Sequence, residues 1–393
     1  MSRHAHTTNF IRDAVIGELV DHGHAALTME SIARRSFSSI GSVYARYPNR
    51  ICAMQDVLEH CIIPSLAPGD GHGADGTVLG WALCDDRVMT HLRALVEIAL
   101  CSRHEPSLEP AASTLLQFVR TRVPTVASDP AVDAGLRWLT GSVLLGHAVL
   151  TGIGCRLPEM DEPLDRLVRG AALTDDMRTV TAHHPARVTA SRPPSPAPSR
   201  TDDIATALTI AATAELAEQG ASRARLRSIA GRVGATTGAL YRRFGSKNEL
   251  VKEALVRELG PDRYEWTEQL EESVAGGSRS PSPGDVLADQ MFLLLGDRTK
   301  LLATLEMIHA ARNDADVRRT LVTQVESAAG LRAEFFRTAA GGTPNIPAEL
   351  MGWVIQLAPV GARVLVALGD TPDESAVRSA LRGVVRAALM PSR

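Results

Sequence analysis

Large aromatic rings are scarce, with Phe, Tyr and Trp making up 4% of the chain. Burial therefore rests on aliphatic side chains, and the dominance of Ala, Leu and Val favours helix over sheet. No excess of either charge exists either. The net charge is −3 over 393 residues, so bulk electrostatics does not point to nucleic acid, and any such argument must rest on a local patch. Cysteines are few and odd in number (Cys52, Cys61, Cys84, Cys101, Cys155), with no CxxC pair. That excludes a disulfide framework, reads as small core hydrophobes and fits a reduced, cytoplasmic setting. No apolar segment follows Met1 as in a secretory leader, and no apolar run looks long enough to span a membrane. HExxH, GxSxG, a phosphate loop and a dinucleotide fingerprint are all missing, so the reading is of a non-enzyme with no cofactor and no metal. His183 and His184 fall in a Pro-rich stretch, while His91, His147 and His309 stand singly on helical segments, where a core or pocket role is the expectation.

What is present is a repeated pattern. Ser31–Arg50, "SIARRSFSSIGSVYARYPNR", lies over Ser228–Lys247, "SIAGRVGATTGALYRRFGSK", without a gap at an offset of 197 (228 − 31). Ala14, Glu18, Leu19 and Gly23 recur at the same offset as Ala211, Glu215, Leu216 and Gly220. Further on, Glu97 and Arg103 parallel Glu306 and Arg312, and Trp138, Gly146 and Gly154 match Trp353, Gly361 and Gly369 in spacing. Three pairings in the same order argue for tandem duplication of a whole unit. Prolines at 193, 194, 196 and 198 mark a semi-rigid spacer between the copies. The expected organisation is a head at 1–60, a body at 61–180, a linker at 181–200, a second head at 201–260 and a second body at 261–393.

The expected fold class is all-α. In the second unit, apolar spacing predicts helices over 203–219, 225–233, 237–243, 247–272, 285–296, 299–313, 315–339, 347–368 and 373–389. Gly220 and Gly234 read as helix stops and Ser246 as a cap. Ile229-Ala230 to Leu240-Tyr241 has helix-turn-helix spacing: a small residue where two helices cross, a glycine four residues on for the turn, and a leucine packing the second helix back. Between Ala221 and Asn248 stand Arg223, Arg225, Arg227, Arg232, Arg242, Arg243 and Lys247, with no acidic residue. Such a patch is the footprint expected of phosphate binding, against the plainer reading of a solvated surface.

"LRSIAGRVGATTGALYRRFGSKNELVKEAL" resembles the DNA-binding head of the tetracycline-repressor-type (TetR) regulators, through Ile229, Ala230, Gly234, Leu240, Tyr241, Phe244 and Lys247. The resemblance implies that Thr236, Thr237 and Ala239 face base edges and that Tyr241, Arg243 and Lys247 hold phosphates. Taken singly, Tyr241 could instead be packed and Arg242 a surface charge. In the first head Ile32, Ala33, Gly41, Val43, Tyr44 and Tyr47 keep the frame, and Ser38, Ser39, Ser42, Tyr44, Arg46 and Arg50 take the matching positions. Phe37 replaces the turn glycine, so the turn either differs or is strained. Ser31–Gln55 is again free of acids, and DNA competence with altered base preference is the expectation.

The resemblance further implies a ligand-responsive repressor whose partners are double-stranded operator DNA and a small-molecule effector of unknown identity, with no membrane role. Helices at about 130–155 and 161–173 would pair with 347–368 and 373–389 in a four-helix seam, giving a single-chain pseudo-dimer that reads an asymmetric operator; a homodimer is the alternative. Trp81, Met89, Trp138, Met291, Phe292, Met307, Trp353 and Gln356 are candidate pocket residues, with core packing as the plainer role for most. A helical ligand- or protein-binding protein that has lost DNA recognition in one or both heads is the competing function, and a helical enzyme comes third.

Overall fold

The computed structural model describes residues 3–66, 85–123, 127–173, 200–259, 269–270, 273, 281–339 and 346–389. Trp81, Cys84 and the expected linker up to residue 199 lie outside the described residues. Among the described residues there are helices and no strand. The first half runs through α1 (Arg3–His22), α2 (Met29–Arg35), α3 (Ile40–Tyr44) and α4 (Arg50–Val57), which continues through a π-helical turn to Leu66. Then come α5 (Asp86–Cys101), α6 (Glu109–Arg122), α7 (Pro130–Thr151) and α8 (Asp161–Leu173). Thr28 and Ser31 form a reciprocal capping box on α2, while Asn49 caps α4 and Asp129 caps α7 ahead of Pro130.

The second half runs through α9 (Arg200–Arg223), α10 (Leu226–Arg232), α11 (Thr237–Phe244), α12 (Lys247–Leu259), α13 (Pro283–Gly296), α14 (Arg298–Asn313), α15 (Ala315–Ala339), α16 (Ala348–Ala367) and α17 (Glu374–Leu389). These bounds stay within a few residues of the apolar periodicity; within the predicted helix at 247–272, continuous helix is described to Leu259 and again at 269–270, with 260–268 and 271–272 outside the described residues. Gly220 breaks α9 at φ 77°, and Gly23 ends α1 at φ 75° at the matching place. Both stops therefore follow from the conformation that only glycine adopts freely.

α7 and α16 are strongly apolar helices and lie against each other at the centre, with α17 across α7 and α8 against α17. Two glycines set their approach. A Cβ on Gly146 would fall 2.1 Å from the Leu357 carbonyl oxygen, and one on Gly361 would fall 1.8 Å from that of Ser142. The expected contact between helices 130–155/161–173 and 347–368/373–389 is thus made. α16 is long and apolar enough to cross a membrane by length and composition, contrary to the sequence expectation, but 78% of that window is buried inside the protein. The main core joins both bodies, the first head and the part of the second head around Leu216, Ala217, Ala224, Val251, Ala254 and Leu255, whereas Ala205, Leu208, Ala211, Ala212, Ile229, Ala230, Leu240, Phe244 and Leu250 form a separate small core in the second head.

Candidate nucleic-acid interface

In the second head, α10 and α11 cross over a tight turn. Gly234 takes φ 67°, and Ala235 N–H donates to the Ala230 carbonyl at 2.9 Å, closing α10. Ile229, Ala230, Leu240 and Phe244 are buried, which commits the opposite face of α11 to solvent. Thr236 caps α11 by accepting from Ala239 N–H, so its hydroxyl is partly engaged. Thr236, Tyr241, Arg242 and Arg243 are exposed, while Thr237 and Ala239 are half-buried. Tyr241 is 50% exposed, which rules out the packed alternative for that residue.

The acid-free window is acid-free only along the chain. Arg232 lies 3.2 Å from Glu215 and 2.5 Å from Glu218, both on α9. Arg35 makes the matching pairs with Glu18 at 3.4 Å and Asp21 at 2.7 Å on α1. Glu215 also accepts from Ser228 Oγ and Arg225 N–H, capping α10 from outside. Burial favours the neutral acid, but these donors and Arg232 outweigh it and hold the Glu215 carboxyl below its usual range. Arg243 sits 3.6 Å from Glu253 and over the Phe244 ring. Arg225, Arg227 and Arg242 are exposed, with no ion pair among the described residues.

Lys247 departs from the expected phosphate role. It is half-buried, and its Nζ donates to the Ala221 carbonyl at 2.6 Å; burial lowers its pKa. Arg50 at the matching position donates to the carbonyls of His24 and Leu27, both at 3.3 Å. Both cations tie a head to the glycine turn beneath it.

The first head keeps the same turn. Ser38 N–H donates to Ala33 O at 3.0 Å, and Phe37 occupies φ 51° with its ring 99% exposed. The turn is therefore conserved in shape and strained, since a bulky side chain resists positive φ. Ser39 caps α3, and its hydroxyl meets that of Ser42 at 2.8 Å, so the two partly satisfy each other. Ser38 Oγ turns to Ser36 O, and Arg46 reaches back to Thr8 Oγ1 on α1. Tyr44 and Ile40 stay exposed. Tyr47 is buried, and its hydroxyl donates to Asp56, which also takes both arms of Arg12 at 2.7 Å.

Below the heads, Glu97 and Glu306 each face the other half of the chain. Glu97 Oε1 lies 3.1 Å from Arg312, and Glu306 lies 3.7 Å from Arg103. Each glutamate thus pairs with the arginine of the opposite half and not with the one six residues along its own segment. Each glutamate also accepts a backbone N–H just past a glycine turn: His24 N–H on Glu97 at 3.1 Å, and Ala221 N–H on Glu306 at 2.9 Å. Burial would raise the Glu97 carboxyl, but Arg312 and the imidazoles of His24 and His309 reverse this and hold it well below the usual range. Arg312 also caps α1 through the carbonyls of Leu19 and Val20. Sequence reasoning missed this junction, although the recurrence of Glu and Arg six apart was its signal.

Met89, Met291 and Met307 are buried in the core, and Phe292 and Trp353 pack against it. Trp138 donates its indole N–H to Asp370 at 3.1 Å, across the contact between the halves, and Gln356 pairs with Arg332. An open cleft lies elsewhere, at the junction below the heads, lined by His24, Arg50, Cys101, His104, Arg223 and Glu306 among others.

The family model of bacterial regulatory proteins, tetR family, matches residues 208–254, the span from mid-α9 through most of α12. The match supports a DNA-binding transcriptional regulator of the TetR type, with a helix-turn-helix in the second head. No curated protein matches the chain significantly.

Proposed function

We propose that the chain is a ligand-responsive DNA-binding repressor acting as a single-chain pseudo-dimer of two tandem units, with two unlike heads reading an asymmetric operator. The observation that carries the DNA reading is that the family match falls on the helix-turn-helix whose outer face presents Thr236, Tyr241, Arg242 and Arg243. Reciprocity supports the two-unit reading. Glu97 meets Arg312 while Glu306 meets Arg103, and Gly146 abuts Leu357 while Gly361 abuts Ser142. With Glu97 aligned to Glu306 and Gly146 to Gly361, each contact is the other with the halves exchanged, which is the signature of a two-fold, self-complementary interface. Regulators of this type need two heads, and one chain here supplies both. The effector, a small molecule, would act by binding more tightly to one separation of the heads than the other. The reduced cysteines fit a cytoplasmic setting.

Selection of bound duplexes from a random pool, followed by mobility shift, tests the proposal. Two unlike half-sites about one helical turn apart are expected, with the second head's half-site dominating affinity. A perfect palindrome bound best, or no sequence-selective binding, would overturn it. A second reading, in which the first head has lost DNA recognition, is favoured by the fully exposed Phe37 and by the Ser39–Ser42 hydrogen bond that engages two expected base-reading hydroxyls. In that case scrambling the first half-site leaves affinity unchanged.

A further inference from the structure

His24, Glu97 and His309 come together from the turn after α1, from α5 and from α14, so the cluster exists only once both halves of the chain are packed. Glu97 Oε2 lies 3.0 Å from His24 Nδ1 and 3.4 Å from His309 Nδ1, and the two imidazole centroids are 4.6 Å apart. Ligand atoms around a tetrahedral zinc ion with bonds of about 2.0–2.1 Å stand ~3.3 Å from one another; the two spacings to Glu97 Oε2 suit a shared ion, and all three ligand atoms lie within 4.8 Å of one another, so the imidazoles would draw together on binding. As a hydrogen-bond network the cluster is crowded. A single carboxylate oxygen receives His24 N–H and both imidazole nitrogens. The buried His309 Nε2 has no hydrogen-bond partner among the described residues.

From this geometry we infer that His24, Glu97 and His309 form a binding site for a borderline divalent transition metal such as Zn2+. Two imidazoles and one carboxylate leave a fourth position for water, a donor set that suits zinc, cobalt or nickel rather than magnesium or calcium. Arg312 holds Glu97 in position, engaging Oε1 at 3.1 Å and leaving Oε2 to the imidazoles. His24 lines the open cleft below the heads, which provides an approach for the ion. The fold does not require the imidazoles, because the matching place around Glu306 is built without them. Ala221 stands where His24 stands and Leu100 where His309 stands, yet Ala221 N–H still reaches Glu306 at 2.9 Å. A bound ion would fasten the first head's turn to both bodies, which the second head's turn lacks.

Those counterparts supply the test variants His24→Ala and His309→Leu. The full chain is titrated with Co2+ as a spectroscopic stand-in for Zn2+, in a background where His4, His6, His183 and His184 are replaced by Gln to silence other histidine pairs. One equivalent of Co2+ with the intense visible bands of a four-coordinate site is expected, lost on adding Zn2+. Each single variant should weaken binding by more than the ~10–100-fold typical of losing an outer-sphere partner, and the double variant should abolish it. Circular dichroism confirms that each variant is folded before titration, and His24→Ala, at the more accessible position, stands alone as the probe if His309→Leu does not fold. No saturable uptake by the parent, or equal uptake by folded variant and parent, overturns the site.

Discussion

Phe37 shows what one residue can cost a turn. At φ 51° its backbone occupies a region that glycine fills at the matching Gly234, and its fully exposed ring gains nothing from packing. Phe37→Gly should therefore raise stability by about 1 kcal/mol, read from urea unfolding midpoints. Arg312 is the opposite case: buried, it holds Glu97 and two α1 carbonyls. Arg312→Ala leaves a buried carboxylate uncompensated and should cost about 3–5 kcal/mol, while Arg103→Ala, at a looser 3.7 Å contact, should cost clearly less in the same assay. Asp56 links α4 to Arg12 and Tyr47. Burial would raise its pKa, but the Arg12 and Tyr47 hydrogen bonds prevail and lower it. A carboxyl depressed in the folded state contributes stability above its unfolded pKa and loses it as pH falls through the folded one. The stability gap between wild type and Asp56→Asn should thus be present at pH 7 and shrink steadily below about pH 4. Lys247 separates two roles. Its inward hydrogen bond predicts that Lys247→Ala lowers stability yet leaves the salt dependence of DNA binding unchanged, whereas Arg242→Ala should flatten that slope by about one unit. A flattened slope for Lys247→Ala would restore the phosphate role.

At the scale of elements, α7 and α16 are brought together by glycine. Gly361→Ala would press a methyl group into the Ser142 carbonyl, and Gly146→Ala would do the same at Leu357. Each should destabilise by about 1–3 kcal/mol, and the double variant by less than the sum, because the first substitution already parts the helices. Thermal unfolding of the three variants checks this. The two helix-turn-helix elements differ in their support. α2 and α3 share the main core, whereas α10 and α11 close a separate core built with the first part of α9. A small detached core opens more readily, so amides buried in α10 and α11 should exchange faster than those in α2 and α3 under native conditions. Equal protection in both would contradict the division.

For the whole molecule, the apolar faces of α7, α16 and α17 are covered within the chain. Under the pseudo-dimer reading, the surface that a separate partner would need is already occupied, and covalent linkage keeps the halves at high effective concentration. Light scattering should therefore give one chain per particle, alone and on DNA. A concentration-dependent dimer would mean that another surface associates.

Much of this was legible along the chain because it depends on short-range physics. Apolar spacing, the Ser246 cap and stops at Gly220 and Gly234 act within a turn or two, so the helices of the second head and body follow from local residues. The likeness of the heads is local in the same sense, including the turn that Phe37 is forced to share. What needed the tertiary structure is every question of which charge meets which. Residues six apart on a helix point about 120° apart and sit nearly two turns from each other, so Glu306 and Arg312 do not face each other along α14, and only the packing of one half on the other delivers Glu97 to Arg312. Likewise the acid-free windows lose Arg35 and Arg232 to carboxylates that touch them in space but stand 14 to 17 residues away in sequence. His309 and His24, 285 positions apart (309 − 24), share one carboxylate for the same reason: electrostatics depends on distance through space, which sequence order does not encode.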